Sequence, residues 1–334
     1  MMKTILVFGA TGKLGAYISL HFKKIGYNVL AVGRRISDNG FYADHHIPYY
    51  SVDITKKEDF DKLPIGNIDI VAHFAGVLPA NMKGYDGSSY IDSVIKGTYN
   101  VLEFMRKAQI PKIIFPQSLF DISYLFGTKT PISADSERRA PLEGDHTMYV
   151  IAKIAAVSMI EHYHAVYGLK HFILRLSRVY VYHPNPFTFT DGKKVMVSDR
   201  LLMQKAENGE PIAIWGDPNR LLETCCVEDF LQIVEKCAES NLDGGLYNIG
   251  SGGSTLDERV HAIVDVFSSP ENKSVITYDP DKRSAMQFVL DISKTKTELG
   301  YVPRYSWKDY CEWFKKERKL QRFAKLWGTE EDYR

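Results

Sequence analysis

The stretch "TILVFGATGKLG", residues 4–15, runs from a short apolar strand into a glycine-rich turn and on into a helical pattern. Gly9, Gly12 and Gly15 stand three residues apart. A turn of this kind lets the backbone approach a pyrophosphate, and the helix behind it offers free N–H groups and a favourable dipole. A glycine triplet alone says little, but strand, turn and helix in this order point to a dinucleotide-binding unit.

Outward from the turn the alternation continues. "NVLAVG" (28–33), "DIVAHFAG" (69–76), "KIIFPQS" (112–118) and "KHFILRLS" (170–177) are apolar runs of the kind found in strands buried on both faces. Helical periodicities fill residues 13–26, 90–110 and 148–168, and Gly26 and Gly168 fall where helices should stop. The pattern predicts an α/β fold with a doubly wound parallel sheet and right-handed crossovers. After about residue 180, Pro- and Gly-punctuated stretches break it. "CCVEDFLQIVEKCAES" and "GGLYNIGSG" then read as a helix and a strand returning to the first domain. The expected division is a NAD(P)-binding domain of residues 1–180 plus about 224–252. Residues 181–223 and 253–334 would form a smaller, interleaved C-terminal substrate-binding lobe. The tail "KKERKLQRFAKLW" reads as a basic amphipathic helix with a solvated charged face.

The 334 residues, 45% apolar and 25% charged, have the composition of an ordinary soluble globular protein. A net charge of +1 gives no general attraction to nucleic acid or to an anionic membrane, so neither is expected as a partner. No apolar run is long enough to span a membrane, and the opening run is too short for a signal peptide. Cys225, Cys226, Cys237 and Cys311 form no disulfide-like framework, which fits reduced thiols and a cytoplasmic location. His45 with His46, and His162 with His164, lack acidic or thiol neighbours at a metal spacing, so no metal site is expected.

The second strand ends "AVGRR". Gly33 stands where a carboxylate would grip the adenosine ribose, and Arg34 and Arg35 follow. Guanidinium groups in place of a carboxylate suit a 2′-phosphate, so NADP is expected over NAD. Asp53, in "VDIT", stands at the end of a third strand as a partner for the adenine ring or as a strand-end cap.

Two Tyr-x-x-x-Lys spacings occur: Tyr149 with Lys153, and Tyr278 with Lys282. Residues i and i+4 share a helix face, so the first pair can reach one cleft from its long helical pattern. The second pair has Pro280 between its members, which disfavours a helix, and "TYDPDKRS" reads as a loop.

With the glycine turn, "HFAG" (73–76), "PQS" (116–118) and "YVIAK" (149–153) in this order, the chain resembles the extended short-chain dehydrogenase/reductases, in their epimerase/dehydratase branch. "LRLSRVY" (174–180), "PIAIWGDP" (211–218), "VEDF" (227–230), "LYNIGSG" (246–252) and "LDISKTKTELGYVP" (290–303) extend the resemblance nearly end to end. It implies a Rossmann fold and an NAD(P)-dependent enzyme of nucleotide-sugar metabolism that works as a homodimer. The dimer would be joined by helices at about 90–108 and 149–167. Tyr149 would be the general acid/base, Lys153 would bind the nicotinamide ribose and lower the tyrosine's pKa, and Ser118 would hold the reacting oxygen. The implied cofactor set is Gly9, Thr11, Gly12, Lys13, Leu14, Gly15, Arg34, Arg35, Asp53, Ile54, Phe74, Ala75 and Gly76, with Tyr149 and Lys153. Arg178, Arg220 and Arg283 would join Ser118 at the substrate.

Three departures narrow the chemistry. Family dehydratases follow the Ser with Asp and Glu; here Leu119 and Phe120 stand there and cannot exchange protons, and Asp121 is no clear substitute. Val94 occupies a position that relatives give to asparagine, and Leu222 one that they give to a phosphate-binding arginine. The expected activity is therefore reduction of a 4-keto sugar or C4 epimerisation of a nucleotide sugar. A reductase of a small non-nucleotide carbonyl and a non-catalytic NADP-binding regulator are the alternatives.

Overall fold

Seven parallel strands carry the glycine turn in the computed structural model, which describes residues 2–79, 85–144, 146–190 and 192–334. They are β1 (Thr4–Phe8), β2 (Asn28–Gly33), β3 (Tyr49–Ser51), β4 (Ile70–His73), β5 (Lys112–Ser118), β6 (Lys170–Leu176) and β7 (Gly244–Ile249). Their order is β7-β6-β5-β4-β1-β2-β3, with every neighbouring pair parallel. The order reverses between β1 and β4. In doubly wound sheets that switch point opens a crevice at the carboxyl ends of the strands, where ligands bind.

The helices are α1 (Lys13–Lys24), α2 (Gly97–Lys107), α3 (Thr147–Tyr167), α4 (Ser198–Asn208), α5 (Val227–Glu239), α6 (Leu256–Phe267) and α7 (Trp307–Leu320). On one face of the sheet, Val101 and Met105 of α2 and Ala156 and Ile160 of α3 bury against Leu6, Phe8 and Phe115. On the other, Phe22 of α1 and Phe230 and Val234 of α5 cover Ile5, Val7 and Phe172. Gly168 ends α3 in the left-handed conformation, at φ 69°, as its placement in the sequence predicts.

Several boundaries differ from the sequence reading. β4 stops at His73 rather than residue 76, because the chain turns away at Phe74 to line the crevice, with Gly76 at φ 153°. The helix expected over 90–110 is broken by a π-helical turn, Ile91–Lys96. The two residues Cys225–Cys226 pair with Val179–Tyr180, so α5 begins only at Val227. All four cysteines are free and buried, and burial pushes their thiols up.

The remaining elements include an antiparallel hairpin, Phe187–Thr190 with Lys193–Met196, and a parallel pair, Ile212–Trp215 with Ile276–Asp279. The tail departs most from expectation. Its helix ends at Leu320 rather than running through Trp327; Lys316, Lys319, Arg322 and Lys325 keep a solvated face, while Phe323, Leu326 and Trp327 are buried. Phe323 packs on Tyr17 of α1 at 4.5 Å between ring centroids and stacks on Trp327 at 4.4 Å. Trp327 Nε1 donates to the Thr11 carbonyl at 3.0 Å, while its ring meets that of His183 at 4.6 Å. Glu330 then pairs with Arg200 of α4 at 2.6 Å. No helix among the described residues is long and apolar enough to cross a membrane.

Candidate active site

The glycine turn is shaped by close backbone approach. A Cβ on Gly9, at φ 83°, would stand 2.6 Å from the Phe74 carbonyl carbon, and one on Gly15 would stand 2.2 Å from the Gly9 oxygen. Only glycine fits either place. A cavity of about 250 Å³ opens beside the turn, lined by Gly9, Thr11, Gly12, Arg34, Arg35, Asp53, Ile54, Phe74, Ala75 and Gly76. Ten expected cofactor residues thus converge, joined by Thr55, Val77 and Ser93, which sequence reasoning missed. Ser93 lies on the π-helical turn beside the buried Val94, and its Oγ accepts the Val77 N–H at 3.3 Å. Ser93 thus places a hydroxyl next to a position that relatives give to asparagine.

Lys13, Leu14 and Gly15 do not line the cavity. Gly15 packs under the turn and Leu14 against the core. Lys13 faces Arg178, Arg200 and Asp199; burial and the two guanidinium groups lower its pKa. Asp53 lines the cavity and also caps the strand end, since its Oδ1 accepts from Thr55 N at 3.0 Å and from Thr55 Oγ1 at 2.8 Å. The two arginines part company. Arg35 Nη1 donates to the Leu326 carbonyl at 2.8 Å, whereas Arg34 is exposed and has no hydrogen bond or ion pair with any described residue. A glycine cradle with polar groups along its rim fits a nicotinamide dinucleotide.

Ser118 ends β5, and Tyr149 and Lys153 lie one helical turn apart on α3; all three are buried. Lys153 Nζ donates to the Pro116 carbonyl at 2.8 Å and lies 4.2 Å over the Phe115 ring and 6.0 Å from that of Tyr149. Tyr90 meets Tyr149 edge-on at 5.7 Å. Burial, then Tyr90, holds the Tyr149 phenol well above its ordinary pKa, while burial pulls Lys153 down to about 7. Lys153 Nζ is turned here to a backbone carbonyl, and desolvation dominates both groups.

Leu119 and Phe120 start a 3₁₀ turn, Leu119–Leu125, in which Phe120 packs on His146 at 4.6 Å. Neither supplies a proton, and Asp121 is sealed in an ion pair with Arg175 at 3.0 Å. The substrate arginines split into two groups. Arg178 pairs with Asp199 at 2.5 Å on the Lys13 side. Arg220 donates to the Ala285 carbonyl, which brings it to the loop that carries the exposed Arg283. Behind Leu222 lies the buried Arg259, whose Nη2 donates to the Leu222 and Glu223 carbonyls at 2.8 and 2.9 Å and whose Nε and Nη1 bond Ser254 and Tyr180, a structural role. Glu223 itself accepts N–H groups from Thr224, Ser251, Gly252 and Leu290, a structural role. Tyr278 lies in a strand rather than a loop and bonds Asp257 at 2.8 Å, while Lys282 pairs with Asp279 at 3.4 Å, so that pair forms no site. No cluster of metal-ligating side chains occurs among the described residues.

The sequence matches the NAD dependent epimerase/dehydratase family over residues 5–250. The chain belongs to this family. As a member it is an NAD(P)-dependent enzyme of the extended short-chain dehydrogenase/reductase type. It is 25% identical over 333 residues to the UDP-glucose 4-epimerase of Neisseria meningitidis serogroup B, covering 90% of this chain and 92% of that one. It is 22% identical over 335 residues to the dTDP-glucose 4,6-dehydratase of Haemophilus influenzae, covering 91% and 94%. The crystal structure of the Thermotoga maritima UDP-glucose 4-epimerase with UDP-glucose superposes with a TM-score of 0.72 at 21% identity, over 95% of this chain and all of that one. The UDP-glucuronic acid 4-epimerase of Bacillus cereus, in complex with UDP-glucuronic acid and NAD, gives 0.69 at 19% identity, over 95% and 99%. These likenesses establish the shared fold.

Proposed function

We propose that the protein interconverts or reduces a nucleotide sugar at C4, with C4 epimerisation as the leading activity. One observation carries this reading: a buried Tyr149 shares a helix face with Lys153, which is tied to the strand that ends in Ser118. A nicotinamide dinucleotide, when bound, supplies the hydride acceptor and donor. Tyr149 exchanges the proton of the reacting C4 oxygen, and Ser118 steadies that oxygen with a hydrogen bond. Lys153 keeps α3 in register with β5 and holds the cofactor's ribose. Leu119 and Phe120 supply no second acid or base, which argues against a 4,6-dehydratase. Arg220 and Arg283 on one side and Arg178 on the other would grip the diphosphate.

A specific observation favours reduction as the second reading. Arg34, unpaired and on the rim of the cavity beside Gly33, suits a 2′-phosphate and hence NADP, although the B. cereus relative was solved with NAD. Incubation with UDP-glucose, dTDP-glucose and a 4-keto sugar nucleotide, followed at the NADPH absorbance band, separates the readings. Isomer formation without net NADPH loss supports the epimerase, and stoichiometric loss supports the reductase. No conversion of any nucleotide sugar removes both.

We further propose a homodimer built on the 90–108 and 149–167 segments, where Ile91, Tyr99, Ile151 and Val166 leave apolar surface exposed. Residues 1–180 with about 224–252 would be the cofactor domain, with 181–223 and 253–334 as the substrate lobe. The free thiols fit a cytoplasmic location.

A further inference from the structure

Beneath Ser118 lies a buried charge pair with no part in the chemistry described above. Asp121 and Arg175 are both fully inaccessible. Arg175 Nε donates to the two Asp121 oxygens at 3.0 and 3.2 Å, and its Nη2 donates to Oδ2 at 3.1 Å. Nη1 is taken by the Ala134 carbonyl at 3.0 Å and by Asn248 Oδ1 at 3.3 Å. Gln117, directly across the sheet register from Arg175, donates from Nε2 to Asp121 Oδ2 at 3.2 Å. Its Oε1 accepts the Ser118 N–H at 3.0 Å. An unbroken path of hydrogen bonds therefore runs from Arg175 through Asp121 and Gln117 to Ser118.

The chemistry of each member fixes the next. A carboxylate only accepts hydrogen bonds, so Gln117 must offer it the amide NH₂, and the amide oxygen is left facing Ser118. Ser118 is the last residue of β5 paired with β6, opposite Leu176. At that end its N–H is held by a side chain, so the Gln117 amide governs how the strand finishes. Stability alone does not explain the arrangement, because well-packed apolar residues commonly replace a buried ion pair at no loss. What such a pair uniquely provides here is direction for the amide.

We infer that Gln117, oriented by the Arg175–Asp121 pair, is a positioning residue that sets Ser118 against the reacting oxygen. This rests on the reading of Ser118 as a catalytic group.

The test compares Gln117→Met, Gln117→Glu and Ser118→Ala in steady-state turnover of UDP-glucose, or of whichever nucleotide sugar the wild type converts. Gln117→Met keeps the bulk, removes both hydrogen bonds and leaves the ion pair intact. Its kcat should fall by about tenfold to a hundredfold, the scale of a displacement near 1 Å, with KM essentially unchanged; the buried Ser118 N–H left unpaired should lower the thermal midpoint as well. Gln117→Glu places a carboxylate against Asp121 and should be impaired at high pH. Lowering the pH should restore it towards wild type, because a protonated carboxyl again donates to Asp121 and accepts from Ser118. Wild-type kcat in Gln117→Met with an impaired Ser118→Ala overturns the positioning role alone. So does a Gln117→Met loss with no recovery of Gln117→Glu at low pH. Wild-type turnover in Ser118→Ala removes the reading of Ser118, and the inference falls with it.

Discussion

Lys153 donates to the carbonyl of Pro116 at 2.8 Å, which ties the helix carrying Tyr149 to the strand that ends in Ser118. The two halves of the candidate site are thus joined by one buried amine contact in addition to the apolar packing of α3 on the sheet. Tyr149→Phe removes only the phenol oxygen. Turnover should fall by about 10²–10⁴-fold, the usual contribution of a positioned acid or base, with the thermal midpoint nearly unchanged. Steady-state rates and a melting curve check this, and retained activity would favour a non-catalytic dinucleotide-binding role.

The two arginines after Gly33 should differ sharply. Arg34→Gln should weaken NADPH binding by roughly tenfold, the effect of losing one charge-assisted contact of about 1.4 kcal/mol, and leave NADH binding alone. Arg35→Gln loses its bond to the Leu326 carbonyl and should lower the melting temperature more than it changes cofactor choice. Fluorescence titration with both dinucleotides separates the effects. A native preference for NADH would end the NADP proposal.

Gly15→Ala should damage the turn from beneath. The added methyl would stand 2.2 Å from the Gly9 oxygen, so backbone must move. A cost of about 1–3 kcal/mol is expected, as for other overpacked sites, together with weakened dinucleotide binding. Chemical denaturation and a titration of the same variant measure both.

His183 gives a pH dependence with a definite sign. Burial, with Lys13 and Arg200 nearby, holds its pKa near 3, and its Nδ1 accepts the Asn185 N–H at 3.0 Å, a neutral-ring contact. The unfolded chain takes up this proton first, around the ordinary value near 6.5. The stabilising contribution is therefore complete above about pH 6.5 and is lost progressively as the pH falls towards 3. His183→Gln, which retains an acceptor, should flatten the fall of melting temperature over that window. Buried His73, likewise held near 3, should leave part of the slope in place.

Much of this was legible in the sequence because it is local. The glycine spacing, the apolar strands and the Tyr149–Lys153 interval all lie within single elements, and the cavity gathers ten of the residues expected at it. What was not legible depends on groups distant along the chain. That Asp121 is no substitute for the dehydratase acids is suggested by its spacing, but that Arg175, on another strand, takes up its oxygens is not. The shifted values of Tyr149 and Lys153 follow from desolvation, which residue spacing does not report. Arg259 and the buried tail become visible only when remote segments pack together.

The tail contact between Trp327 and Thr11 joins residues 316 positions apart. During synthesis the chain emerges from its amino end, so the glycine turn is made well before the Trp327 segment that covers its outer side. Long-range closure of this kind is entropically slow. Until Trp327 emerges, a nascent chain that has already formed its sheet would leave the outer side of the turn uncovered.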